Sequence, residues 1–174
     1  MKFSIKSIFG VATVIGIIGL AACSKKSDPA PVVVSNSFTL RGNTFTVSSA
    51  VDSANYFGVL GTTSTKQKAE VIFIFSGSSR PAAGSYKVIS DISKQAANQV
   101  GILAFDSLSV AKESILGSLG TDNVSAQVTV SALGKITITL ASTQLTGSNI
   151  DNTDPKNTNI TTLNTTLTGT FIEK

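Results

Sequence analysis

The sequence predicts an all-β protein, an antiparallel β-sandwich or small barrel of roughly 8 to 10 strands built from hairpins. Three observations carry that expectation. The chain has 24 Ser and 21 Thr among 174 residues, only 14% charged residues and 14 Gly, a mixture that suits strands and turns better than helices. Short runs alternate apolar and polar residues, the period of a half-buried strand. Turn signals recur about every ten residues.

The first element is a hairpin in "SFTLRGNTFTV" at 37–47. Phe38 and Leu40 alternate with Thr39 and Arg41, and Phe45 and Val47 with Thr44 and Thr46. A two-residue turn at Gly42-Asn43 pairs Leu40 with Phe45 and Phe38 with Val47, placing all four on one face. Next come "AEVIFIFS" (69–76), apolar on both faces and therefore expected to be a central strand, then "GSYKVIS" (84–90) and "NQVGILAFDS" (98–107). Leu108, Ala111, Ile115 and Leu119 have helical spacing, weakened by Gly117 and Gly120, and form the one helix candidate.

The second hairpin is "VSAQVTVSALGKITITL" at 124–140. A three-residue loop Ala132-Leu133-Gly134, with Gly134 left-handed, pairs Val130 with Ile136, Val128 with Ile138 and Ala126 with Leu140. A two-residue loop would set Val130 against Thr137 and bury a Thr face. The last strand is expected over "ITTLNTTLTGTFI" (160–172), with Leu163, Leu167 and Phe171 on one side. No internal repeat at a fixed period is found.

The N-terminus has a different organisation. "MKFSIK" carries two Lys and no acid, and "IFGVATVIGIIGLAA" at 8–22 is fifteen residues without a charge. A basic region, an apolar core and small residues are the layout of a secretory signal peptide. A membrane-crossing helix needs ~20 apolar residues, and this run is shorter and holds three Gly. It ends at Leu20-Ala21-Ala22-Cys23, which contains the only cysteine.

That tetrapeptide resembles the lipobox of bacterial lipoproteins, and the β-rich layout is similar to the many small lipoproteins of Gram-negative bacteria. The resemblance implies that the Cys23 sulfur receives a diacylglycerol and that the bond before it is cut. The new N-terminus would often be acylated as well. One acyl chain gives marginal membrane binding, whereas two or three anchor a protein stably. The expected organisation is therefore a removed signal peptide at 1–22, a lipid anchor and flexible tether at 23–36, and a single β-domain at 37–174. Pro29 and Pro31 with Ser, Lys and Asp keep "SKKSDPAPVVVSN" extended and solvated. Ser24 stands where the Gram-negative sorting rule would place an Asp for inner-membrane retention. By that resemblance the address is the outer membrane, facing the periplasm or the cell surface.

Charge and residue types limit the chemistry. With Lys2 and Lys6 removed, 12 Lys and Arg face 10 Asp and Glu, and only Lys25-Lys26 are adjacent, so no nucleic-acid footprint is present. One Cys and no His leave no disulfide framework, no Cys- or His-based metal cluster and no common catalytic triad. No cofactor, metal site or catalytic residue is expected, and Cys23 is the one functional residue assigned. Paired carboxylates remain conceivable, as glycoside hydrolysis needs only two, but Glu70 and Glu113 are the only Glu in the body and nothing in the sequence places them together.

Three further features read more simply as structure. "TGSNIDNTDPKNTN" (146–159) offers Asp151, Asn152, Asp154 and Asn157 as oxygen ligands for calcium, yet it lacks the EF-hand pattern and reads as a solvated connection rich in Asx turns. Asp52-Ser53-Ala54 and Asp106-Ser107-Leu108 resemble a short O-glycan acceptor of some Gram-negative bacteria, at a frequency no higher than chance. Tyr56, Phe57, Phe73, Phe75, Tyr86, Phe105 and Phe171 could line a ligand cradle, but strand spacing favours core.

The expected function is a non-catalytic, lipid-anchored envelope or surface protein, a binding or structural display module. Its partners would be the membrane through acylated Cys23 and an envelope protein, a glycan or a small apolar ligand. The alternatives are a lipocalin-like carrier of an apolar ligand in a barrel cavity and, more weakly, a carboxylate-based glycan hydrolase.

Overall fold

The structure is a computed structural model that describes residues 34–174 other than positions 110, 122 and 155. The signal peptide, the lipobox with Cys23 and the tether up to residue 33 lie outside the described residues.

Ten strands make one mixed sheet. They are β1 (Ser37–Leu40), β2 (Asn43–Ser53), β3 (Tyr56–Thr62), β4 (Lys68–Phe75), β5 (Gly84–Ile89), β6 (Gln99–Ser109), β7 (Lys112–Ser118), β8 (Ser125–Val130), β9 (Ile136–Asp151) and β10 (Asn159–Ile172). Antiparallel ladders join β1 to β2, β2 to β3, β3 to β4, β4 to β6, β6 to β7, β7 to β9, β9 to β10 and β10 back to β1, so the sheet closes into a ring. β5 and β8 form a second bridge from β6 to β9. The all-β class and the hairpin construction are as the sequence predicts.

The interior is filled by aromatic rings. Inward positions of alternating strands bring Phe38 onto Phe45 at 5.1 Å and onto Phe171 at 5.4 Å between ring centroids. Phe73 meets Phe171 edge-on at 4.8 Å, and Phe75 meets Tyr86 at 4.9 Å. Such pairs contribute roughly 0.5 to 1.5 kcal/mol beyond their burial. Leu40, Val71, Ile102, Ile138, Leu145 and Leu167 fill the space between them with no exposed surface.

The hairpin at 124–140 has the expected register, with Val130 opposite Ile136, Val128 opposite Ile138 and Ala126 opposite Leu140. Ser131 N donates to Lys135 O at 2.9 Å, and Gly134 takes φ +78°, closing the three-residue loop. In the first hairpin the face is right and the register is not. The turn is Arg41-Gly42, both with positive φ (53° and 76°), and Phe38 faces Phe45 while Leu40 faces Asn43. Two positive-φ residues make a type I′ turn, whose twist matches the strands. Moving the turn by one residue changes the partner of each residue by two, so Phe38, Leu40, Phe45 and Val47 all stay buried.

Two further expectations are corrected. The helix candidate is not a helix: Leu108 lies in β6, and 112–118 is β7. Its inward residues are Ser114, Leu116 and Ser118, so two polar side chains break the alternation that would have marked a strand. The sheet is also not wholly antiparallel, because β5 runs parallel to β6 over Lys87–Gln99, Val88–Val100 and Ile89–Gly101. A single 3-10 turn, Ile92–Lys94, capped by Asp91, returns the chain between them. Gly101 leaves the space that the Ile92 side chain occupies, and Gln95 Nε2 donates to Ile74 O at 2.7 Å, which pins this short crossover.

Candidate functional site

The side chains with chemistry to offer gather on the outer face of β3, β4, β6 and β7. In this part of the ring Leu60 is opposite Glu70, Glu70 opposite Phe105, and Phe105 opposite Ile115. One row above, Lys68 is opposite Ser107 and Ser107 opposite Glu113. One row below, Gly58, Ile72, Leu103 and Gly117 follow one another. Successive residues alternate faces, so these rows share the solvent side while Ala69, Val71 and Phe73 point inward.

Two grooves mark this face. One, of about 330 Å³, is lined by Leu60, Lys68, Glu70, Phe105, Glu113 and Ile115. Its neighbour, of about 320 Å³, is lined by Val51, Tyr56, Gly58, Leu60 and Glu70. Leu60 and Glu70 form the ridge common to both. Apolar residues are unusually prominent on this solvent side: Val51 is 55% exposed, Ile115 48%, Tyr56 39% and Leu60 37%. Exposed apolar patches that are rimmed by charge mark sites of association. Among the described residues Glu70, Glu113 and Lys68 enter no ion pair. The arrangement offers an apolar floor, two carboxylates and one ammonium group.

This site was only partly foreseen. Glu70 and Glu113, which the sequence left apart, line the same groove. Strand spacing sets their Cα atoms about 12 Å apart, two strands across and two residues along. Of the seven aromatic residues assigned to the core, Phe57, Phe73, Phe75, Tyr86 and Phe171 are there, but Tyr56 and Phe105 lie on the outer face. The signal is the apolar residue at each solvent-side position of "VIFIF", Ile72 and Ile74, both half-buried, which the sequence reading takes only as the mark of a central strand. It meant that a second surface, as well as the core, prefers apolar contact.

The other candidates are placed as follows. β9 runs to Asp151, so the expected long connection at 146–159 shortens to a reversal at 152–158. Asp151 accepts from Thr153 N at 3.0 Å and Thr153 Oγ1 at 2.7 Å, and it pairs with Lys112 at 3.1 Å. The Thr153 hydroxyl, then its amide and Lys112, lower the Asp151 pKa to about 2. Asp154 accepts from Lys156 N and Asn157 Nδ2, and the Lys156 amide above all lowers its pKa. These are Asx-turn contacts, as the solvated-loop reading requires.

Asp106 of the second Asp-Ser motif is buried on the inner face, where it holds Arg41 Nη1 at 3.2 Å and accepts from the Ser114 hydroxyl. Asp52 of the first is paired with Arg80, which also binds Glu173 and donates to Gly134 O at 2.6 Å, while Ser53 is exposed at the following turn. Among the described residues no group of three or more Asp, Glu, Cys or His side chains is arranged to hold a metal ion. No helix among them is long and apolar enough to cross a membrane. No protein family, no curated protein and no solved structure matches this chain.

Proposed function

We propose that this protein is a non-catalytic, lipid-anchored module of the Gram-negative envelope, held at the outer membrane by acylated Cys23, and that the outer face of β3, β4, β6 and β7 is its binding surface. The observation that carries the binding role is the pair of adjoining grooves with an apolar floor and unpaired Glu70, Glu113 and Lys68 at their rims. The anchor rests on the lipobox alone. The alternative of a lipocalin-like carrier needs an internal cavity, and the interior positions that would line it hold the packed rings of Phe38, Phe45, Phe73 and Phe171. The display reading is favoured for that reason. A hydrolase reading gains one observation, the shared groove of Glu70 and Glu113, but their separation by two strands makes a matched acid and base harder to assemble.

The test has two arms. Labelling with a palmitate analogue and membrane fractionation should show a labelled, membrane-bound chain that becomes unlabelled and soluble on Cys23→Ala. A soluble, unlabelled wild type removes the anchor. For the surface, glycan and peptide arrays probed with wild type and with Leu60→Lys/Ile115→Lys should give binding that the double variant loses at unchanged melting temperature. Equal binding by both proteins removes this face as the site.

A further inference from the structure

β6 and β9 outrun β7 where β5 and β8 fill the step; the ring of ladders has two other steps where a strand outruns its neighbour, and they are treated differently. At the first, residues 48–53 of β2 extend past β1. Here two cationic side chains lie along the open edge: Lys174 Nζ donates to Ser48 O at 3.0 Å, and Arg80 holds the Asp52 carboxylate. At the second, β10 outruns β1. β1 is only four residues long and pairs with Leu167, Thr168, Gly169 and Thr170, so, among the described residues, 159–166 have β9 on one side and no strand on the other.

Among the described residues this open edge has none of the usual protection. Natural proteins blunt exposed edges with Lys, Pro, bulges or covering loops, because the unpaired amide and carbonyl groups are a template for another strand. The segment "NITTLNTT" contains no charge and no Pro, and Ile, Thr and Leu are good strand formers. Its one irregularity, between Leu167 and Gly169, falls where β1 is already paired. Ile160 stands 63% exposed beside Ile150, directly opposite it on β9.

We propose that residues 159–166 of β10 pair antiparallel with the same residues of a second copy of this chain, forming a two-fold dimer with a continuous β9-β10-β10-β9 sheet. The occupant is argued from self-complementarity. A charged edge would set like charges opposite each other across a two-fold axis, and a partner selected by charge would need charges on the strand, whereas this one has neither. Directly opposed residues must share a face, so the axis passes between the two copies of one residue at the centre of the edge, Thr162 or Leu163. Thr162 is in the row of Ile115 and Ser148, so pairing joins the outer faces of the two copies. The dimer would present two binding surfaces on one sheet, and it forms whether or not that surface has the role proposed above.

Light scattering on the full chain in non-ionic detergent, corrected for bound detergent, tests the proposal. Wild type should have the mass of two chains at micromolar concentration. Thr162→Lys/Asn164→Lys places like charges across the axis at two exposed positions and should raise the dissociation constant at least about tenfold. A mixture of that variant with Thr162→Glu/Asn164→Glu should recover the dimer. As a readout that adds no charge, Thr162→Cys or Leu163→Cys in a Cys23→Ser background should give a disulfide-linked pair on mild oxidation. A wild type that stays monomeric, a dimer indifferent to the Lys pair, or the absence of cross-linking at both positions would each overturn the proposal.

Discussion

At the scale of single residues, the Arg41 to Asp106 pair shows how a turn and a core can depend on one contact. Arg41 adopts φ 53°, a left-handed conformation that costs an L-residue roughly 1 to 2 kcal/mol. From there its guanidinium reaches Asp106, whose side chain has no exposed surface. A buried carboxylate without a cation is costly, because the low-dielectric interior does not replace its lost hydration. Arg41→Ala should therefore destabilise the fold by about 3 kcal/mol in urea denaturation, since among the described residues the Ser114 hydroxyl is the partner left to the carboxylate. Arg41→Met with Asp106→Leu removes both charges and should recover most of that loss. If Arg41→Ala alone costs nothing measurable, the pair is ornamental to stability. The contact was invisible in the sequence, where 65 residues separate the partners.

Whole elements were legible where alternation is unbroken, as in the hairpins at 37–47 and 124–140, but β3 between β2 and β4, and β7 beside β6, were not, although their partners are sequence neighbours. The 124–140 hairpin was readable to the residue because alternation and Gly134 agree on a single loop. The 37–47 hairpin kept its face but not its register, since alternation repeats every two residues and only the turn type chooses between shifts of two. Non-local pairing was not legible. β7 looked helical because Ser114 and Ser118 point inward, Ser114 onto Asp106 and Ser118 as donor to Ile89 O and acceptor from Ile102 N, contacts supplied by other strands. The groove is hidden with it, as helical spacing places Ile115 in a helix and strand spacing places Phe105 in the core.

The same strand pair supplies a sharp test of the assigned topology. A Cβ on Gly147 would collide with the Ile115 carbonyl oxygen and lie 2.9 Å from Leu116 Cα, all backbone atoms that cannot rotate away. Gly147→Ala should force β7 and β9 apart and cost about 2 kcal/mol or more, whereas Ser148→Ala, on the outer face one residue on, should stay within about 0.5 kcal/mol. Equal effects in urea denaturation would mean that β7 does not pack on β9 at this register.

For the molecule as a whole, the question is whether the ring and the bridge made by β5 and β8 unfold together. β5 is the weak point on backbone evidence, joined to β6 by only three parallel pairs and to β8 by four. Side-chain packing argues the other way. Tyr86 of β5 sits edge-on against Phe75 of β4 and donates its hydroxyl to Ala82 O at 3.0 Å, and Val88 beside it has no exposed surface. Peeling β5 away would uncover Phe75 and part of the common core, so apolar burial couples the bridge to the ring more strongly than its ladder does. The chain has no Trp and two Tyr, one of them on the exposed outer face. In Tyr56→Phe, fluorescence therefore reports Tyr86 alone, while far-ultraviolet circular dichroism reports the whole sheet. The two urea transitions should share one midpoint. A Tyr86 transition at lower urea would mean that β5 and β8 open before the ring, making the bridge a separate unit despite its aromatic contact.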